Sequence, residues 1–266
     1  MFVNFEVKGR LGNAIYRYLA CSVMCIKYGY SYTINNKQRK NFSDIEFYNL
    51  LTNNLSHINE VSMNMSEYYQ HDTIYKNYKN EIISYIKQHP EHFVLTDGIN
   101  AGDGNREKFK MIDIINTPNN FNKKYNIVLH LRLEDFVIHN LYIKTERITK
   151  LLENIYKSYK DNNKIIHELC IVCKKPTTDF EINYINTIKE CIYKENQNTL
   201  IITEHNDTLT DYYIMKNAET LICSKSTLSW CGAFFSANIK TCYFPDYVIQ
   251  PGIMTCKSPI DNTILY

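Results

Sequence analysis

Short apolar runs alternate with amphipathic stretches through the second half of the chain. Residues 127–131, 169–173, 200–203, 220–223 and 241–244 are brief, mostly apolar runs bounded by polar positions. Runs of that length read as strands. Between them, apolar positions recurring at helical spacing predict helices over 142–159, 179–194, 208–217 and 228–237. Strands that are apolar throughout and separated by helices specify a parallel, doubly wound sheet buried on both faces.

The first half is less regular. Residues 2–7 alternate apolar and polar positions as a half-buried strand does, and a polar turn over 8–13 leads into a helix over 14–28. A short strand near 30–34 follows, then irregular helical stretches including 74–87, a strand at 93–96 and a polar segment over 98–105. Residues 116–124, with Pro118 and clustered asparagines, read as a linker. The pattern therefore predicts two α/β halves, residues 1–120 and 121–266, with a cleft between them.

Composition narrows the function classes. Of 266 residues, 44% are apolar and 22% charged, as in folded soluble proteins. A net charge of +2 supplies no field to recruit nucleic acid or an anionic membrane, so a bound phosphate must be held by local groups. Arginine is confined to Arg10, Arg17, Arg39, Arg106, Arg132 and Arg147, against a background rich in lysine. Each is of interest, because lysine cannot reproduce a planar bidentate fork. Cys170-x-x-Cys173 has zinc-like spacing, yet it lies in an apolar run without a second Cys or His pair. The expectation is buried, reduced thiols in a cytoplasmic protein with no leader, no transmembrane segment and no metal.

Three segments carry candidate chemistry. In the first, His130 and Arg132 share one side of the strand that opens the second half, at its C-terminal end. Ligands of open α/β sheets bind beyond strand C-termini, so the pair suits a diphosphate and its attached base. An Arg132–Asp135 salt bridge is the alternative. The second segment, Ser224-Lys-Ser226-Thr227, joins a strand to an apolar helix, where hydroxyls and open N–H groups make a phosphate site. Simple N-capping by Ser226 or Thr227 accounts for the same residues. One helix earlier, Asp211 suits a guanine edge, but Thr208-x-x-Asp211 is also a capping-box spacing. The third segment, Gly9-Arg10-Leu11-Gly12-Asn13, permits close backbone approach with Arg10 and Asn13 as donors, or is merely a turn.

In order and spacing these segments resemble the fucosyltransferases that share a His-x-Arg motif: the α-1,2 family (glycosyltransferase family 11) and its α-1,6 and protein O-fucosyltransferase relatives. Those α-1,2 enzymes carry Gly-x-Leu-Gly-Asn-Gln, His-x-Arg-Arg-Gly-Asp-Tyr and Ser-x-Ser-Thr-Phe-Ser-Trp-Trp. This chain carries Gly9 to Ala14, His130-Leu-Arg132-Leu133-Glu134-Asp135-Phe136, and Ser224-Lys-Ser226-Thr227-Leu228-Ser229-Trp230-Cys231. Its chief departures are Ala14, Leu133, Glu134 and Cys231.

The resemblance implies a GT-B-like fold of two Rossmann-like domains, the second binding a nucleotide sugar and the first facing a glycan acceptor. It implies inverting, metal-independent transfer of fucose from GDP-fucose. In that scheme Arg132, Ser226 and Thr227 hold the diphosphate, His130 and Asp211 read the guanine, Ser224 is a further donor-binding residue, and Gly9, Arg10 and Asn13 line the cleft. Asp135 and Glu134 are the candidate bases. Use of GDP-mannose or an ADP- or UDP-sugar, and a non-catalytic glycan- or nucleotide-binding relative, are the alternatives.

Overall fold

The structure is a computed structural model that describes residues 2–5, 10–34, 40–52, 62–65, 69–89, 94–96, 108–246 and 258–266. It is a mixed α/β protein in two compact units, divided between Phe121 and Asn122. The predicted segment at 98–105 lies outside the described residues.

The first unit contains β1 (Phe2–Phe5), α1 (Leu11–Tyr28), β2 (Ser31–Ile34), β3 (Lys40–Asn41), α2 (Asp44–Thr52) and β4 (Ser62–Met65). It continues with α3 (Asp72–Asn77), α4 (Lys79–Gln88), β5 (Val94–Thr96), β6 (Lys108–Lys110) and α5 (Met111–Ile115). Four strands form a parallel sheet in the order β2-β1-β4-β3, and β5 pairs antiparallel with β6. Helix α1 begins at Leu11, three residues before the predicted start. Burial of Leu11, Gly12 and Ala14 outweighs the poor helix propensity of Gly12 and Asn13. It ends at Gly29, whose φ of 65° is the left-handed cap that glycine adopts without strain. The single helix predicted over 74–87 is two, broken at Tyr78.

The second unit contains β7 (Ile127–His130), α6 (Glu134–Ile138), α7 (Thr145–Asp161), β8 (Glu168–Val172), α8 (Asp179–Glu195) and β9 (Leu200–Glu204). After these come α9 (Thr208–Asn217), β10 (Thr220–Ile222), α10 (Thr227–Phe235), β11 (Thr241–Phe244) and β12 (Thr263–Leu265). Six parallel strands lie in the order β12-β11-β10-β7-β8-β9. The chain winds outward from β7 through β8 to β9, then returns to the other side of β7 and winds outward again. The junction of β7 with β10 is thus the point where the strand order reverses.

Both faces of this sheet are covered. Ile127, Leu129, Ile171 and Ile222 pack with Ile148, Leu152 and Ile155 of α7 and Ile185, Ile188 and Ile192 of α8 in one buried cluster. Side chains of alternate parity, Val128, His130, Cys170 and Val172, face the opposite side, where α9 packs on β7 and β8 and α10 packs on α9. At Gly232 the two helices approach closely: a Cβ there would stand 3.4 Å from the Met215 Cβ, in van der Waals contact. Among the described residues no helix is long and apolar enough to cross a membrane.

Candidate functional site

Strand β7 ends at His130, and β10 is followed by Cys223 and Ser224. The register Ile222↔Leu129 sets the two strand ends side by side. Across that junction the Ser224 Oγ lies 2.9 Å from the His130 Nδ1. Both residues are buried. Burial, with the nearby Arg132 charge adding to it, lowers the His130 pKa to about 3, so the ring is neutral at physiological pH. One ring nitrogen is then a donor and the other an acceptor; the Ser224 hydroxyl can serve either role toward Nδ1, and Nε2 takes the role that Nδ1 does not.

Arg132 follows directly. Its Nε donates to Asp135 Oδ1 at 3.1 Å, and its Nη2 reaches Oδ1 at 3.0 Å and Oδ2 at 3.2 Å. The guanidinium also stands over the Phe136 ring, 5.2 Å from its centroid. The salt bridge that the sequence offered as an alternative is therefore present, and it orients the guanidinium plane. Leu133, at the position of the second arginine in the resembled motif, is buried in the cluster with α7 and α8, a place for an apolar side chain. Glu134 stands where that motif has glycine, and its φ of 29° lies in the left-handed region that glycine favours.

The segment after β10 leads into α10, an apolar and almost wholly buried helix. Ser226 is its N-cap, accepting from the Leu228 N–H at 3.3 Å. The cap uses a lone pair of the hydroxyl and leaves its proton to donate. Thr227, the first residue of α10, makes no side-chain hydrogen bond among the described residues. Lys225 sits between the serines, its pKa lowered by burial and by the charge of Arg147. Arg147 in turn stands over the Tyr266 ring, whose hydroxyl donates to the Cys223 carbonyl at 2.6 Å. Lys225 and Arg147 thus flank the segment, and sequence reading gave neither a role.

Asp211 lies in the first turn of α9 and is only 5% exposed. Its cap reading fails, because Asp207 is the N-cap of α9. The Asn206 N–H and side-chain amide donate to Asp211 Oδ1 at 3.3 and 3.0 Å. Its Oδ2 accepts no hydrogen bond among the described residues. Burial raises its pKa to about 6, the Asn206 bonds offsetting part of the effect. Asn206 also donates to Glu204, which takes a bond from Lys123 at 2.7 Å and one from the Tyr125 hydroxyl at 2.5 Å. Sequence reasoning missed this network because its members come from two distant stretches of the chain, 123–125 and 204–211.

Arg10 and Asn13 belong to the first unit, as N-cap and first-turn residues of α1. Gly9 lies outside the described residues. Cys170 is buried in β8, and Cys173 just beyond it has its Sγ 3.7 Å from His205 Nδ1. Among the described residues no group of three or more His, Cys, Asp and Glu side chains is arranged to hold a metal ion. Comparison with models of known protein families and with curated proteins finds no match.

Proposed function

We propose that the protein is an inverting glycosyltransferase that moves fucose from GDP-fucose to a hydroxyl of a glycan acceptor without a metal ion. Its second unit would bind the donor, and the two units would act as the domains of a GT-B-like enzyme. The observation that carries this reading is the junction of β7 and β10. A neutral histidine, an oriented arginine and a hydroxyl-lined helix N-terminus converge there, in the crevice where doubly wound sheets take ligands.

The mechanism follows from charge. As the bond from the anomeric carbon to the diphosphate breaks, negative charge grows on the leaving phosphate. The Arg132 guanidinium, oriented by Asp135, and the α10 N-terminus are donors already fixed in place, with the Ser226 and Thr227 hydroxyls beside them, so stabilising that charge requires little reorganisation. His130 and Asp211 bear on the base: the imidazole through Nε2, and the carboxylate through an Oδ2 suited to the guanine N1–H and 2-amino group. Asp135, with both oxygens on Arg132, serves to orient the guanidinium. Glu134 is then the carboxylate assigned to the acceptor proton.

The test is release of nucleoside diphosphate from a panel of nucleotide sugars in EDTA, with Arg132→Ala alongside. GDP-fucose cleaved by the wild type and spared by the variant is the expected result. Release only from GDP-mannose or an ADP- or UDP-sugar would replace the donor. GDP binding without turnover on any glycan would make the protein a binding relative.

A further inference from the structure

Glu181, at the third position of α8, is a carboxylate only 6% exposed. Its Oε2 accepts from the Thr177 N–H at 2.8 Å, the Thr178 N–H at 3.1 Å and the Thr177 hydroxyl at 3.2 Å. The Thr178 hydroxyl accepts from the Glu181 N–H at 3.2 Å. Together these bonds form a reciprocal capping box, for which one carboxylate oxygen is enough. Oε1 goes elsewhere: it accepts from the Glu134 N–H at 3.2 Å, 47 residues away in the chain.

The bond lands on an unusual stretch of backbone. Leu133 has φ −103° and ψ −95°, outside the broad allowed regions, and Glu134 has φ 29°. These two residues separate Arg132 from Asp135. Such a backbone persists only where its surroundings over-determine it. The buried Leu133 side chain fixes one end of the turn, and a charge-assisted bond from a buried carboxylate fixes the other. The hydrogen bonds from Thr177 and Thr178 overcome the effect of burial and keep the Glu181 carboxyl below its usual range, so it is ionised as the bond requires.

We propose that Glu181 is the positioning residue of the Arg132 loop: through the Glu134 N–H it holds the turn that presents Arg132, with Asp135, at the end of β7. The proposal rests on the donor-binding reading only for its second readout. The first is amide hydrogen exchange over residues 134–137 in the protein alone, for Glu181→Ala and for Thr178→Ala, which weakens the same cap without touching Glu134. Glu181→Ala is expected to speed that exchange by on the order of tenfold or more, the worth of one bond to a charged group. Thr178→Ala is expected to lower Tm and leave the exchange rate as it was.

The second readout is GDP affinity. It should fall about tenfold in Glu181→Ala and recover by at least half of that loss, on a logarithmic scale, when Glu134→Gly is added. Glycine takes the positive φ without help, but it cannot restore the cap, so the Tm deficit should remain. Unchanged exchange in Glu181→Ala, or equal effects of Thr178→Ala on exchange and affinity, would overturn the proposal. If the wild type binds no GDP, the donor reading fails and the exchange arm alone decides the role of Glu181. Should Glu181→Ala not fold, Glu181→Gln, with one acceptor oxygen to share between two loops, is expected to move exchange in the same direction.

Discussion

The Ser224 hydroxyl and the His130 Nδ1 lie 2.9 Å apart, across the point where the strand order of the second unit reverses. They are 94 residues apart in the chain, and both are buried. The bond ties the C-terminal end of β7 to the segment that opens α10. It also fixes the orientation of a ring that burial keeps neutral. Two of the segments singled out in the sequence are thus one structural unit, with Arg132 following one member of the pair in the chain and Thr227 following the other.

Neutral burial of His130 has a signature in acid. Its native pKa of about 3 lies below its ordinary 6.5. Between those values the unfolded chain binds a proton that the native state refuses, so this group makes stability fall as pH falls through that window. Measured by urea unfolding, the wild type should lose about 3 kcal/mol more than His130→Gln between pH 6.5 and pH 4. Equal pH slopes would contradict a histidine buried in its neutral form.

Asp211 has the opposite sign. Its native pKa of about 6 lies above the ordinary 3.8, so the native state binds more protons between those values. Its contribution therefore lowers stability as pH rises through that window, and the whole cost is present above it. Asp211→Asn should stabilise the ligand-free protein at pH 7 by about 1–3 kcal/mol, read from urea midpoints. The same variant should weaken GDP binding, the exchange of stability for function expected of a buried functional carboxylate. A variant less stable than the wild type at pH 7 would count against that cost.

Arg132 and Asp135 should separate by pH profile. Arg132→Ala is expected to slow nucleotide release by about 10²–10³, the usual loss for a preorganised electrostatic donor. Arg132→Lys should recover little, since it lacks the fork that Asp135 grips. Asp135→Asn should slow release by roughly tenfold, the worth of orienting one such donor, and leave the acid limb of the pH–rate profile in place. Disappearance of that limb would make Asp135 the base.

The second unit was legible because its strands are apolar on both faces, so each appears as a bounded run. Helix α9 was read to its ends, Thr208 and Asn217. Elements of three to five residues, α6 and β12, carry too few positions to show a period. Helix α2 did leave a signal, Ser43-x-x-Glu46, and the structure closes it as a capping box with bonds of 2.7 and 3.1 Å. In the site, His130, Arg132 and Ser224 could be named from strand ends and motif alone. The Glu181 bond to Glu134 could not, because local spacing encodes only its capping half. Nor could the positive φ of Glu134, which a glycine would have advertised.

The central claim is that a guanine nucleoside diphosphate binds at the junction of β7 and β10. Calorimetric titration of GDP into the wild type and into Arg132→Ala, both in EDTA, tests it most directly. The account predicts saturable binding to the wild type in the micromolar range, about −8 kcal/mol, weakened at least tenfold in the variant. Absence of binding to the wild type at millimolar GDP, or equal affinity in the variant, would contradict it.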